Sequence, residues 1–198
     1  MLVIGLTGNL GTGKTEVAQT LAELGAAVIN ADELGHELFQ PGSLTYNEVT
    51  AAFGKSLLRS NGEIDRGRLG QLVFADPDRL KKLNRIMHPR IYEIVKQKIE
   101  DYGKSGAGVV VVEAALLVEA GWKPLVDRLW VTTAPEETIA KRLEKSRGLS
   151  EEQVLARLRN QMPQTEKMKH ADVIIDTDVP VALLRARVKE LWRKLPAP

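Results

Sequence analysis

Gly8-Asn9-Leu10-Gly11-Thr12-Gly13-Lys14-Thr15 fits the pattern G-x-x-x-x-G-K-[ST], and it follows the apolar run Leu2-Val3-Ile4-Gly5-Leu6. A helix is expected to open at about Lys14 and to run to about Leu24. Strand, glycine-rich turn and helix in that order let successive backbone N–H groups converge on phosphate oxygens, and the helix dipole adds positive potential at the same point. Lys14 would reach the β- and γ-phosphates, and the Thr15 hydroxyl would ligand magnesium. Gly11, Thr12, Gly13, Lys14, Thr15 and Glu16 are therefore the candidate nucleotide-binding residues.

Outward from this loop, four more runs are β-rich and nearly all apolar: Ala26–Ile29, Val109–Val112, Arg128–Thr132 and Asp172–Asp176. Continuous apolar runs suit strands buried on both faces, as in a parallel sheet covered by helices. The intervening stretches carry helix-start signals. Thr133-Ala134-Pro135-Glu136 and Ser150-Glu151-Glu152-Gln153 have capping-box spacing, and Asp76-Pro77 reads as an N-cap followed by a first-turn proline. The alternation predicts an α/β fold. From about Glu33 to Gly108 no convincing strand appears, only amphipathic helical patterns broken at Pro41-Gly42, Asn61-Gly62, Asp76-Pro77 and His88-Pro89. That is too much chain for an ordinary crossover, so it reads as a helical insertion.

With 198 residues the chain is long enough for one well-cored domain carrying small insertions. A net charge of +2 is too small to argue for nucleic acid or an anionic membrane. The absence of cysteine excludes disulfides, thiolate metal ligation and a cysteine nucleophile. No apolar run approaches the roughly 20 residues a bilayer span needs, and the N-terminus shows no basic, cleavable leader. The expectation is a cytoplasmic monomer acting on a small molecule, with no nucleic-acid or membrane partner.

In parallel α/β folds the ligand lies beyond the carboxyl ends of the strands. Two acids fall there: Asp32 after the second run and Glu113 at the end of Val109–Val112. One could serve as general base toward an acceptor hydroxyl and the other could hold magnesium; the blander alternatives are a helix N-cap for Asp32 and a solvated strand end for Glu113. Phosphoryl transfer also calls for cationic donors from a closing segment. Arg142, Lys145 and Arg147 precede the helical stretch Ser150–Asn160 with its Arg157 and Arg159, and together they read as a lid. His88, with no second histidine nearby, suits packing or hydrogen bonding better than metal ligation. Asp32-Glu33-Leu34-Gly35 matches the D-x-x-G of GTPases, but no Asn-Lys-x-Asp segment accompanies it.

These residues resemble the dephospho-coenzyme A kinase family over nearly the whole chain. The resemblance runs from Ile4–Thr15 through Ala31-Asp32 and His36, then Gly62–Arg66, Leu69, Val73-Phe74, Asp76-Pro77 and His88-Pro89. It continues with Leu116–Glu119, Arg142-Leu143, Gly148–Ser150, Arg157, Gln161, Lys167 and Ala171–Asp176. It implies a P-loop NTPase three-layer fold with a five-stranded parallel sheet, a helical acceptor-binding insertion and a small helical lid. The nucleotide-binding core would comprise residues 1–32, 109–143 and 162–198, the insertion 33–108 and the lid 144–161.

The implied activity is transfer of the ATP γ-phosphate to the ribose 3′-hydroxyl of dephospho-coenzyme A, with ATP and magnesium as cofactors. Asp32, Lys14 and Arg142 would then be catalytic, and Asp32, Arg66 and His88 would bind the acceptor. Arg147 and Arg157 would be lid cations, and Thr15 and Glu113 would hold the metal. A kinase of another small hydroxylated or nucleotide acceptor, or a nucleotide-binding regulatory module without turnover, would share the same loop. The chain departs from the family pattern at Asn30 and Glu113 (each usually aspartate), Ala115 (proline), Ser146 (arginine) and Thr177 (asparagine).

Overall fold

A computed structural model of the chain describes residues 1–148 and 150–196; the side chains of His36, Arg147 and Glu151 lie outside that description. The described residues form two compact units, Met1–Asn30 with the chain from Val95 onward, and Ala31–Ile94.

The first unit is built on a parallel five-stranded sheet in the order β2-β3-β1-β4-β5. Its strands are β1 (Leu2–Thr7), β2 (Ala27–Asn30), β3 (Val109–Glu113), β4 (Arg128–Thr133) and β5 (Val173–Asp176). Each coincides with an apolar run of the sequence to within a residue or two. The central strands are the most apolar: every residue of β3 is buried, as is β1 from Val3 to Thr7. The chain leaves β1 toward β2 and β3 on one flank and later adds β4 and β5 on the other. The loop leaving β1 thus lies where the strand order reverses, the position at which α/β sheets take ligands. Register aligns the strand ends: Leu6 pairs with Glu113, Asn30 with Glu113, and Thr133 with Asp176.

Helix α1 (Lys14–Glu23) follows the loop directly. Its buried Val17, Ala18 and Leu21 share one apolar core with Ile4, Leu6, Val111, Trp130 and, from the C-terminal helix Val181–Arg193, Leu184 and Val188. A second cluster, Ala134, Ile139, Leu143 and Val154, joins the helices Glu136–Arg147 and Glu151–Arg159 to Leu10 of the phosphate loop.

The Ala31–Ile94 unit is helical, as the sequence predicts, with one isolated antiparallel bridge, Leu58 to Ile64, among its described residues. In chain order its helices are α2 (Ala31–Glu37), α3 (Leu44–Phe53), α4 (Arg66–Phe74) and the first part of α5 (Pro77–Lys104). Side chains close the helix starts. Ser43 accepts from the Tyr46 amide at 3.0 Å, Asp65 Oδ1 from Gly67 and Arg68 at 3.0 and 3.1 Å, and Asp76 Oδ1 from Asp78 at 2.9 Å.

Two local expectations are corrected. His88-Pro89 does not break a helix, because α5 runs through Pro89. Next to the proline, Arg90 Nη1 donates to the Ile86 carbonyl at 2.9 Å while Nη2 reaches Glu48 of α3 at 2.6 Å. Thr133 caps no helix: it ends β4, and the helix that follows, α6 (Glu136–Arg147), starts behind Pro135 without a side-chain cap. The capping box at Ser150 does form, with Ser150 and Gln153 exchanging bonds of 3.1 and 3.3 Å at the start of α7 (Glu151–Arg159). The chain then passes through α8 (Gln164–Met168) and β5 to α9 (Val181–Arg193).

Candidate active site

The loop between β1 and α1 turns on its glycines. Gly8, Gly11 and Gly13 have φ of 149°, 79° and 79°, backbone that side-chain-bearing residues rarely adopt. At Gly8 a Cβ would also lie 2.2 Å from Thr132 Oγ1, so the loop rests directly on β4. Gly13 is the left-handed residue before α1, and Lys14 is the first residue of that helix. The buried Lys14 ammonium donates to the carbonyls of Gly8 at 2.8 Å and Asn9 at 3.2 Å, which holds it over the concave side of the loop. Thr12 is different from its neighbours. Its hydroxyl is fully buried and lies 2.7 Å from both Thr132 Oγ1 and the Asn9 carbonyl, so it braces the loop against the sheet.

Thr15, exposed in the first turn of α1, donates its hydroxyl to Glu113 Oε1 at 3.2 Å. Glu113 ends β3 and is buried. A hydroxyl and a carboxylate converging at the mouth of a phosphate loop are the hard oxygen donors that magnesium takes alongside phosphate oxygens and water. Among the described residues no group of three His, Asp or Glu could hold a metal. Glu16, the neighbouring candidate, has its carboxylate turned to α9, where Arg185 Nε donates to it at 2.6 Å.

From α6, Arg142 reaches the back of the loop. Its Nη1 donates to Thr177 Oγ1 at 3.0 Å and lies 3.5 Å from the Gly11 carbonyl, and its Nη2 donates to the Thr177 carbonyl at 2.7 Å. Arg157 is half-buried in the last turn of α7, whereas the side chain of Arg147 lies outside the described residues. Beyond α7 the chain is fastened to the loop: the Leu10 amide donates to Gln161 Oε1 at 2.9 Å, and Asn9 Nδ2 to the Met162 carbonyl at 3.3 Å. The Met162 amide in turn donates to Glu119 Oε1 at 3.0 Å, and the same oxygen pairs at 3.0 Å with Lys167, whose side chain is fully buried. Lys167 also donates to the Ala115 carbonyl at 2.8 Å.

In the Ala31–Ile94 unit, Asp32 lies inside the first turn of α2, so Asn30, not Asp32, precedes the helix. Asp32 is exposed, Arg66 is exposed as the first residue of α4, and His88 is half-buried in α5. Asp65, the cap beside Arg66, has a carboxyl held below its ordinary range, chiefly by the Arg68 amide; desolvation opposes this, and the Arg59 guanidinium and the Gly67 amide add to the lowering.

A sequence model of the dephospho-CoA kinase family matches residues 2–182. The chain belongs to the dephospho-CoA kinase family. A dephospho-CoA kinase of Dehalococcoides mccartyi is 42% identical over 194 residues, covering 98% of each chain. Among solved structures, a Thermus thermophilus protein superposes with a TM-score of 0.81 at 33% identity, over 99% of this chain and 98% of its own. A dephospho-CoA kinase from Campylobacter jejuni does so at 0.70 and 28%, over 97% and 96%. The fold is that of the P-loop kinases.

Within this dephospho-CoA kinase family member, the departures from the family pattern occupy definite places. Glu113 makes the Thr15 contact, and Asn30 pairs with it across β2 and β3. Ala115 offers its carbonyl to Thr7 as well as to Lys167. Ser146 turns its hydroxyl back onto the Arg142 carbonyl at 2.7 Å and supplies no charge. Thr177 forms the Arg142 contact. The bracing roles of Thr12, Thr132, Thr177, Gln161 and Glu119 have no local signature in the sequence; for Gln161, Lys167 and Glu119 the resemblance marks the positions without giving a role.

Proposed function

We propose that the chain transfers the γ-phosphoryl group of ATP to the ribose 3′-hydroxyl of dephospho-coenzyme A, yielding coenzyme A and ADP. The observation that carries this reading is the Thr15–Glu113 pair at the mouth of a phosphate loop, in a chain of this family. Loop amides and the α1 dipole would receive the nucleotide phosphates, Glu16 contributing through its backbone, since Arg185 holds its carboxylate. Lys14 would exchange its two loop carbonyls for β- and γ-phosphate oxygens. Thr15 and Glu113 would hold magnesium, which when bound neutralises charge on the transferring phosphoryl group.

In the transfer, the acceptor O3′ forms a bond to the γ-phosphorus while the bond from that phosphorus to the β–γ bridging oxygen breaks. ADP leaves with the bonding electrons, and the hydroxyl proton passes to the Asp32 carboxylate as general base. Arg66 and His88 would bind the acceptor, Arg142 would add positive charge from behind the loop, and Arg147 and Arg157 would add it around the phosphates as the lid, residues 144–161, closes. Little covalent chemistry is asked of the protein, and positioning carries the rate.

The deciding experiment incubates the protein with magnesium–ATP and a panel of hydroxylated acceptors, following ADP release and acceptor mass. Dephospho-coenzyme A is expected to gain one phosphoryl group. Turnover of another acceptor with none of dephospho-coenzyme A would overturn the assignment.

A further inference from the structure

Thr177 stands one residue beyond β5 and is almost completely buried. Its amide extends the parallel ladder to the Thr133 carbonyl at 2.9 Å. Its hydroxyl lies 2.9 Å from the Thr12 carbonyl and 3.1 Å from the Thr133 carbonyl, with a single proton to share between them, and accepts from Arg142 Nη1 at 3.0 Å. The Thr177 carbonyl accepts from Arg142 Nη2 at 2.7 Å, so the guanidinium fork grips hydroxyl and carbonyl of one residue. A Cβ on Gly13 would be 3.4 Å from both Cβ and Oγ1 of Thr177, so the turn that launches Lys14 sits on this side chain. One small residue thus joins the phosphate loop, the end of the sheet and the arginine of α6.

The geometry points to Thr177 as a positioning residue for the phosphate donor: it sets ATP affinity by fixing Arg142 and the Thr12–Gly13 turn. The charge of Arg142 is permanent, so its location is what the protein controls. Two bonds to Thr177 keep that charge behind Gly11. Removing the hydroxyl leaves Arg142 one partner fewer and takes away the proton that the Thr12 and Thr133 carbonyls share, which loosens the loop at the point where the phosphates dock. None of these contacts involves the Ala31–Ile94 unit, so acceptor binding should be spared.

This inference rests on the ATP-dependent reading above, and the test separates the two. ATP affinity is measured by calorimetry without acceptor for the wild type, Thr177→Val, Thr177→Ser, Arg142→Gln and the Thr177→Val/Arg142→Gln double variant, and transfer kinetics are measured in parallel. Thr177→Val, which keeps the shape and deletes the hydroxyl, should weaken ATP binding ~10-fold. KM for dephospho-coenzyme A at saturating ATP should stay within ~2-fold, and Thr177→Ser should restore ATP affinity to within ~3-fold. The double variant should be no weaker than Arg142→Gln alone by more than ~2-fold, because both changes cut one connection. Unchanged ATP affinity in Thr177→Val, no rescue by serine, or multiplying penalties in the double variant would overturn the inference. Should Thr177→Val fail to fold by circular dichroism, wild-type ATP affinity in Arg142→Gln overturns it and weakened affinity supports it. A wild type that binds ATP yet transfers nothing to dephospho-coenzyme A sinks the functional reading alone.

Discussion

Thr15 donates its hydroxyl to Glu113 at 3.2 Å across 98 residues of sequence, and the β1–β3 register that pairs Leu6 with Glu113 brings them together. A neutral amide at position 113 would keep the size and lose the charge that attracts a divalent cation. Glu113→Gln is therefore expected to raise the magnesium concentration for half-maximal rate ~10–100-fold. A magnesium titration of the rate at fixed ATP checks this, and an unchanged midpoint would remove Glu113 from the metal site.

Lys14 already spans the loop through the Gly8 and Asn9 carbonyls, so its ammonium is preplaced for phosphate. Lys14→Ala should weaken ATP binding by ~10-fold or more, the loss of charge-assisted bonds. It should also lower kcat ~100-fold, since the same charge opposes what develops in transfer. Calorimetry and steady-state rates measure the two effects separately. Wild-type behaviour in both would contradict the phosphate-loop assignment.

The loop, the strands and the helical insertion were legible because each depends on short-range pattern: a run of apolar residues, a glycine at a positive φ, a cap three residues before its amide. Local reading failed where tertiary contacts decide. Pro89 reads as a helix end, yet α5 runs through it, and the neighbouring Arg90 ties the helix to Glu48 of α3. Thr133 looked like a cap because its spacing to Glu136 is right, yet the β4 ladder claims it first. The bracing contacts of the site were invisible for a related reason. Leu10 meets Gln161 across 151 residues and Thr12 meets Thr177 across 165, and only the tertiary fold makes either pair neighbours.

Asp32 is exposed in the first turn of α2, and its carboxylate is the proposed base for the acceptor hydroxyl. Asp32→Asn keeps the shape and abolishes the base. It should lower kcat at least ~100-fold, the lower range for general acid–base catalysis. ATP affinity should change little, because the proposed role of the residue is toward the acceptor hydroxyl. Near-normal turnover in the variant would take Asp32 out of the catalytic role.

Asp65 links stability to pH in a defined direction. Its folded carboxyl is held below the ordinary range by the Arg68 amide first and the Arg59 guanidinium next. The unfolded chain therefore binds the proton more readily, and stability from this group rises with pH. The contribution is complete above the unfolded carboxylate value near ~4 and is lost as pH falls through the folded value. Urea midpoints of wild type and Asp65→Ala should differ by a constant amount from pH ~7 to ~5 and converge in more acidic solution. A gap independent of pH across the acid range would mean that the cap acts without its charge.

Gly8 tests how tightly the phosphate loop is seated on the sheet. A methyl there would stand 2.2 Å from Thr132 Oγ1 and 2.6 Å from the Thr132 carbonyl oxygen, with φ already at 149°. The hydroxyl could rotate away, but the carbonyl belongs to β4, next to the Thr7–Val131 pairing with β1, and cannot retreat without disturbing the ladder. Strained backbone and overpacking each cost about 1–3 kcal/mol, so Gly8→Ala should lower unfolding free energy by ~2 kcal/mol or more and abolish measurable ATP binding. Gly42→Ala provides the control. Its φ is 87° with nothing within 4 Å of the new methyl, so it should cost only the backbone strain of ~1 kcal/mol and leave ATP affinity intact. Urea unfolding and calorimetry on the pair make the comparison. Equal stability losses with ATP binding retained in both would show that the loop does not depend on close packing against Thr132.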